Sequence, residues 1–170
     1  MKTIYENNLS ERRNAVATIE QNLESTDWLV RKTRGTSMRP MLRQRRDLVV
    51  IEKITKANTL QPLDVVLYKR GEQNVLHRVI ALSQDGYLTR GDNTYRLEKV
   101  PFEAVIGVLD AFTRKGKSYS VRDRSYLRYA RLWTKIYPLR AALHKARNAL
   151  VALLRALGLL QPLKKLLGRE

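Results

Sequence analysis

Between Trp28 and Leu109 the apolar residues come in short runs interrupted by turn formers, and that interruption confines this part of the chain to a structure made of strands. The runs are Leu48–Ile51, Val65–Tyr68, Val75–Leu82, Tyr87–Thr89 and Val105–Leu109, preceded by a strand-like Trp28–Arg34. They have strand lengths and are rich in β-branched residues, whose stiff side chains pack well on a pleated surface. Between them stand Arg39-Pro40, Gln61-Pro62, Arg70-Gly71, Asp85-Gly86 and Gly91-Asp92-Asn93, residue types that favour reversal over continuation. Residues 28–112 therefore read as a compact, mainly β domain of antiparallel sheets.

The flanks differ in kind. Ser10 and Glu11, followed by Ala15, Val16, Ile19 and Leu23 at helical spacing, predict a short amphipathic helix over residues 10–24, inside an N-terminal segment 1–27. Residues 113–170 predict a basic helical tail divided by Pro138. Beyond that proline, Leu139, Ala142, Leu143, Ala146, Ala149, Leu150, Leu153, Leu154 and Leu157 form one apolar stripe, with Arg140, Lys145, Arg147 and Arg155 off it.

Of the formal charge of +17, most lies in this tail. Residues 111–170 hold 15 Lys or Arg against 2 Asp or Glu, whereas residues 1–110 hold 18 against 14. Over residues 122–167 the pattern suits an anionic membrane surface, with Trp133 and Tyr137 at headgroup level. It suits equally a helix folded onto the β domain or a self-associated hairpin, since a buried stripe and a lipid-bound one look alike in sequence. Few aromatics are interleaved as stacking platforms and no nucleic-acid motif is present, so nucleic acid is a poor fit. No run reaches the roughly 18 apolar residues that span a bilayer, and Met1–Asn22 has no apolar leader stretch. A cytoplasmic location, peripheral to a membrane, is the expectation. The absence of cysteine excludes disulfides, thiol catalysis and cysteine-bound zinc; no metal or cofactor is expected.

A serine hydroxyl attacks a carbonyl at neutral pH only when a base takes its proton. Ser37 sits in the turn-like Gly35-Thr36-Ser37-Met38-Arg39-Pro40, where a fixed backbone would present its hydroxyl. Alone, such a serine reads as a turn residue bonded to local backbone. The chain has two histidines, and His144 borders the tail stripe without a role. His77 lies within Val75–Leu82, where alternation puts it on one face with Val75 and Val79 and turns Arg78 the other way. A partly desolvated imidazole there has a tunable pKa, although a core histidine satisfied by one hydrogen bond reads the same.

Asp85-Gly86 predicts a hairpin between Val75–Leu82 and Tyr87–Asp92, in one of two registers. One pairs Leu82 with Tyr87 and hence His77 with Asp92; the other pairs Gln84 with Tyr87 and hence Val79 with Asp92. Both bring Asp92 to His77's face, at about 5 to 8 Å between Cβ atoms, within reach to orient the imidazole. A register offset by one residue would break this.

The boxes Gly35-Thr36-Ser37-Met38-Arg39-Pro40, Asp64-Val65-Val66, His77-Arg78-Val79-Ile80 and Gly91-Asp92-Asn93 resemble, in order and spacing, those of the signal peptidase and SOS-repressor serine peptidase clan. The likeness covers roughly residues 28–110 and is greatest to the histidine-base signal peptidases of archaea and the endoplasmic reticulum; most bacterial members carry a lysine base instead. It implies a fold of coiled antiparallel sheets and a catalytic set of Ser37, His77 and Asp92. It also implies supporting roles for Met38, Pro40, Asp64, Arg78, Gly91 and Asn93, and an oxyanion met by the Ser37 backbone N–H.

The chain departs from the family in several places. Leu63 stands where a glycine usually precedes Asp-Val-Val, and Gly35 stands where some bacterial relatives add a hydroxyl. The membrane anchor of signal peptidases is missing, and the basic tail has no counterpart in the simplest members. The expected activity is acyl-transfer endopeptidase action on a peptide or protein substrate of signal or leader type. The alternatives are a non-catalytic module of the same fold acting through its tail, and a self-cleaving peptidase of the repressor kind.

Overall fold

The computed structural model describes residues 27–54 and 59–158; the helix expected over residues 10–24 lies outside them. The described residues form a mainly β structure with two α-helices. In chain order the strands are β1 (Trp28–Lys32), β2 (Leu48–Lys53), β3 (Val65–Arg70), β4 (Gln73–Ser83), β5 (Gly86–Arg90), β6 (Glu98–Pro101), β7 (Val105–Arg114) and β8 (Lys117–Ser120), followed by helices α1 (Arg124–Lys135) and α2 (Tyr137–Ala156). All strand pairings are antiparallel. The sheet runs β1-β2-β7-β3-β4-β5-β6, with β8 added to β7.

The centre of this sheet is apolar on both faces because alternate residues feed two separate cores. On β3, Val65 and Leu67 enter a core with Leu29, Met41, Ile51, Leu109 and Phe112. Val66 and Tyr68 enter a second with Leu60, Val79, Tyr87 and Val100. The same alternation on β4 sends His77 and Val79 to the second core and Arg78 to the first. The apolar runs that look alike in sequence thus belong to a strand layer buried from two sides.

Two strands go beyond the sequence expectation. The segment Glu98–Pro101 has one core residue, Val100, and is held by pairing with β5, Leu88 opposite Lys99 and Tyr87 opposite Val100. Lys117–Ser120 is polar apart from Tyr119, whose ring stacks on Phe112 at 5.4 Å between centroids. Neither carries the apolar alternation by which strands are read.

The boundary expected at residue 112 falls inside β7 and is corrected. The first contact unit runs to Thr134 and the second begins at Lys135. Helix α1 belongs to the sheet because Tyr126, Tyr129, Ala130 and Trp133 fall on one face at i, i+3, i+4 and i+7. Tyr126 and Ala130 are buried there, the alanine completely. Trp133 donates its indole N–H to the Asp92 carbonyl at 2.9 Å; this indole is committed to the β unit rather than to a headgroup layer. Helix α2 has Pro138 in its first turn and buries no residue. Its Leu139, Leu143, Leu150 and Leu153 are exposed. Among the described residues no helix is long and apolar enough to cross a membrane.

Candidate active site

The Ser37 turn follows β1 and is shaped by Gly35, whose φ of +81° suits a residue without Cβ. Arg39 N–H donates to Thr36 O and Leu42 N–H to Met38 O, closing the turn, and the Arg39–Pro40 peptide is cis. Buried Met38 and Met41 anchor it in the first core. From the far side, Asn93 N–H donates to Ser37 O at 2.6 Å and Asn93 Nδ2 to Thr36 O. The turn is therefore held by its own bonds and by the segment after β5. Among the described residues neither the Ser37 hydroxyl nor its backbone N–H has a hydrogen-bond partner.

Ser37 and His77 are brought together at Gly91. A Cβ built on Gly91 would lie 3.0 Å from both Ser37 Cβ and His77 Nε2, and 2.7 Å from Ser37 O. Ser37 Cβ and His77 Nε2 are therefore separated by no more than about twice that first distance. Gly91 is required by close approach, since any side chain would enter the space between them.

His77 is buried, and its Nδ1 lies 3.0 Å from Tyr68 Oη. Tyr68 in turn donates its hydroxyl proton to Glu98 Oε2 at 2.5 Å, while Arg70 Nη1 holds Glu98 Oε1 at 2.9 Å. Glu98 Oε2 is 3.9 Å from His77 Nδ1. Burial pulls the imidazole below its ordinary pKa; Glu98 and Asp92 push it up and Arg70 pushes it down, without reversing the effect of burial. At Glu98, burial acts upward, but the bond from Tyr68, the charge of His77 whenever the ring is protonated and the charge of Arg70 win and hold the carboxyl below its usual range. His77 thus rests neutral beside a carboxylate that stays ionised.

Asp92 does not orient His77, and the reason is a β-bulge. Near the hairpin turn Leu82 pairs with Tyr87, as in the first expected register, but the register shifts between Val79 and Ala81, so that Val79 pairs with Thr89 and Arg78 with Arg90. Continuing that register sets His77 opposite Gly91 and turns Asp92 to the other face. There its carboxylate accepts Arg78 Nε and Nη2, both at 2.8 Å, and the Tyr129 hydroxyl at 3.0 Å. Arg78 Nη1 also donates to Leu63 O and to the Tyr126 hydroxyl. Burial works against the guanidinium, yet bonding and charge from Asp92 outweigh it and raise its pKa above the ordinary value.

The remaining expected residues serve the frame. Asp64 caps the turn before β3, its carboxylate accepting Gln61 N–H at 2.8 Å and its carbonyl accepting Val79 N–H at 2.7 Å. Leu63, standing in the place of a glycine, adopts φ +88°. That left-handed backbone is the conformation a glycine would take without strain. Tyr68 and Glu98 are the site residues that sequence reasoning missed. Tyr68 had a usable signal, two residues after Val66 on a strand of period two, whereas Glu98 sat in a polar stretch with none. Among the described residues no group of three or more His, Asp or Glu side chains is placed to hold a metal ion. Neither a protein-family model nor a curated protein matches the chain.

Proposed function

We propose that this chain is a serine endopeptidase of signal-peptidase-like fold, with Ser37 as nucleophile and His77 as base. The observation that carries the reading is the meeting of Ser37 and His77 Nε2 over the side-chain-free Gly91. Ser37 Oγ attacks the peptide carbonyl carbon and its proton passes to Nε2. The C–N bond breaks as that proton goes to the leaving amine, leaving an ester on Ser37. Water, deprotonated by the same imidazole, hydrolyses the ester and restores the hydroxyl. The developing oxyanion is met by the Ser37 N–H, a donor with no other acceptor among the described residues. Such acyl transfer needs no cofactor.

The test is cleavage of a peptide library by the purified protein, compared with Ser37→Ala and His77→Ala. Each substitution is expected to lower kcat/KM by about 10⁴-fold or more. Cleavage that survives Ser37→Ala overturns the assignment. Cutting confined to the chain itself moves the reading to self-cleavage.

For the substrate we propose a signal or leader peptide met at an anionic membrane surface, a reading that the character of α2 supports. The helix has an apolar stripe open to solvent, Arg140, Lys145, Arg147 and Arg155 off that stripe, and no acidic residue. Apolar burial and attraction to anionic headgroups then act together. Full-length protein is expected to float with vesicles containing phosphatidylserine and to stay behind with phosphatidylcholine alone. Lys145→Glu with Arg147→Glu should abolish flotation, and equal recovery with both vesicle types would sink the electrostatic part.

A further inference from the structure

We propose that Tyr68 and Glu98, rather than Asp92, set the orientation and the proton position of the His77 ring. This rests on the reading of Ser37 and His77 as nucleophile and base. Tyr68 has one hydroxyl proton and faces two acceptors. The closer is Glu98 Oε2 at 2.5 Å, the distance of a charge-assisted O–H···O⁻ bond. With its proton given to Glu98, the Tyr68 oxygen can only accept from His77, so Nδ1, at 3.0 Å, must carry the imidazole hydrogen. That leaves the Nε2 lone pair bare on the side where Ser37 stands. A neutral imidazole of the opposite tautomer would present N–H to the serine and could not take its proton.

The pair also suits the charge that appears next. When Nε2 takes the serine proton, the ring becomes positive with Glu98 Oε2 3.9 Å from Nδ1. Arg70 secures the other carboxylate oxygen, so the carboxylate is fixed at both atoms. Asp92 is engaged by Arg78 and Tyr129 and is not free to follow. Tyr68 and Glu98 are positioning residues: they act on the substrate through His77.

Long-range ¹H–¹⁵N NMR of the labelled full chain reads this directly, because there are two imidazoles and His144→Gln identifies one of them. The expected result at neutral pH is His77 as the Nδ1–H tautomer. The titratable and charged groups that act on its ring are Tyr68 and Arg70 from β3, Glu98 from β6 and, through charge from the opposite face of β4, Asp92 after β5. Of these, Glu98→Gln should lower the His77 pKa further, because it removes a charge that raises it. The same variant should reduce kcat/KM roughly tenfold to a hundredfold, with part of the loss recovered in Glu98→Asp. Tyr68→Phe should shift the tautomer balance toward Nε2–H. An Nε2–H tautomer in the unmodified protein, or an unchanged pKa and tautomer in both variants, overturns the proposal. The spectrum does not depend on turnover, so the expected tautomer in a chain that cleaves nothing would overturn the peptidase reading and leave this one standing.

Discussion

His77 and Arg78 are neighbours on β4 and both are buried, yet the two faces of the strand treat them in opposite ways. On the Arg78 face every side-chain nitrogen is occupied, by Asp92, Leu63 O, Tyr126 and the Met41 sulfur. The group keeps its charge. On the His77 face one ring nitrogen is bonded and the other looks into a gap left open by a glycine. That group is held neutral with a lone pair to spare. The difference shows what separates a structural polar cluster from a reactive one: not burial, nor the presence of a carboxylate, but whether hydrogen-bonding capacity has been used up.

The largest test of this contrast is stability. Asp92→Ala strips a buried guanidinium of its counter-charge, which costs about 3–5 kcal/mol for a broken buried pair, a large share of a typical total of roughly 5–15 kcal/mol. His77→Ala removes one hydrogen bond whose partner, Tyr68, still has Glu98; about 1–2 kcal/mol is expected. Urea denaturation of both variants separates the faces. Equal losses would mean that the Arg78 cluster is no more closed than the His77 one.

The gap itself can be filled. Gly91→Ala puts a methyl carbon 2.7 Å from Ser37 O and 3.0 Å from His77 Nε2, distances at which something must move. Displacing a nucleophile by about 1 Å costs roughly 10²-fold in rate, so kcat/KM on a cleaved peptide should drop by about that factor. Thermal stability should fall by less than in Asp92→Ala. A fully active Gly91→Ala enzyme would put the reacting gap somewhere other than between Ser37 and His77.

How much of this could be read in advance follows from what each feature needs. The strands with apolar alternation, Val65–Tyr68 and Val75–Leu82 above all, declare themselves, and so does the side of β4 on which His77 lies. The partner of His77 does not, because it turns on the bulge between Val79 and Ala81, and Ile80 looks like any other strand residue. One inserted position moved Asp92 from the imidazole to the guanidinium. The strands Glu98–Pro101 and Lys117–Ser120 were hidden for a related reason: pairing to a neighbour, not their own composition, makes them strands. Helix α1 was read with the basic tail because its arginines dominate the composition, whereas Tyr126, Tyr129, Ala130 and Trp133 decide where it packs.

The smallest effect expected is read first on the unmodified protein, by varying pH alone. A free imidazole titrates near 6.5, and burial puts the folded His77 below that. Between the folded value and 6.5 the unfolded chain holds more protons than the folded one, so stability rises with pH across that window and is flat above it. As pH falls the loss begins near 6.5 and stops growing once the folded imidazole is protonated. Activity follows the folded value alone: a neutral base persists below pH 6.5, so kcat/KM should remain near its plateau at pH 6.5 and decline only beneath it. His77→Gln should remove the stability slope in this window, where Arg78 does not titrate. A kcat/KM midpoint above 6.5 would mean that Glu98 outweighs burial at His77, and the neutral, lone-pair-bearing face described here would then be a charged one like its neighbour.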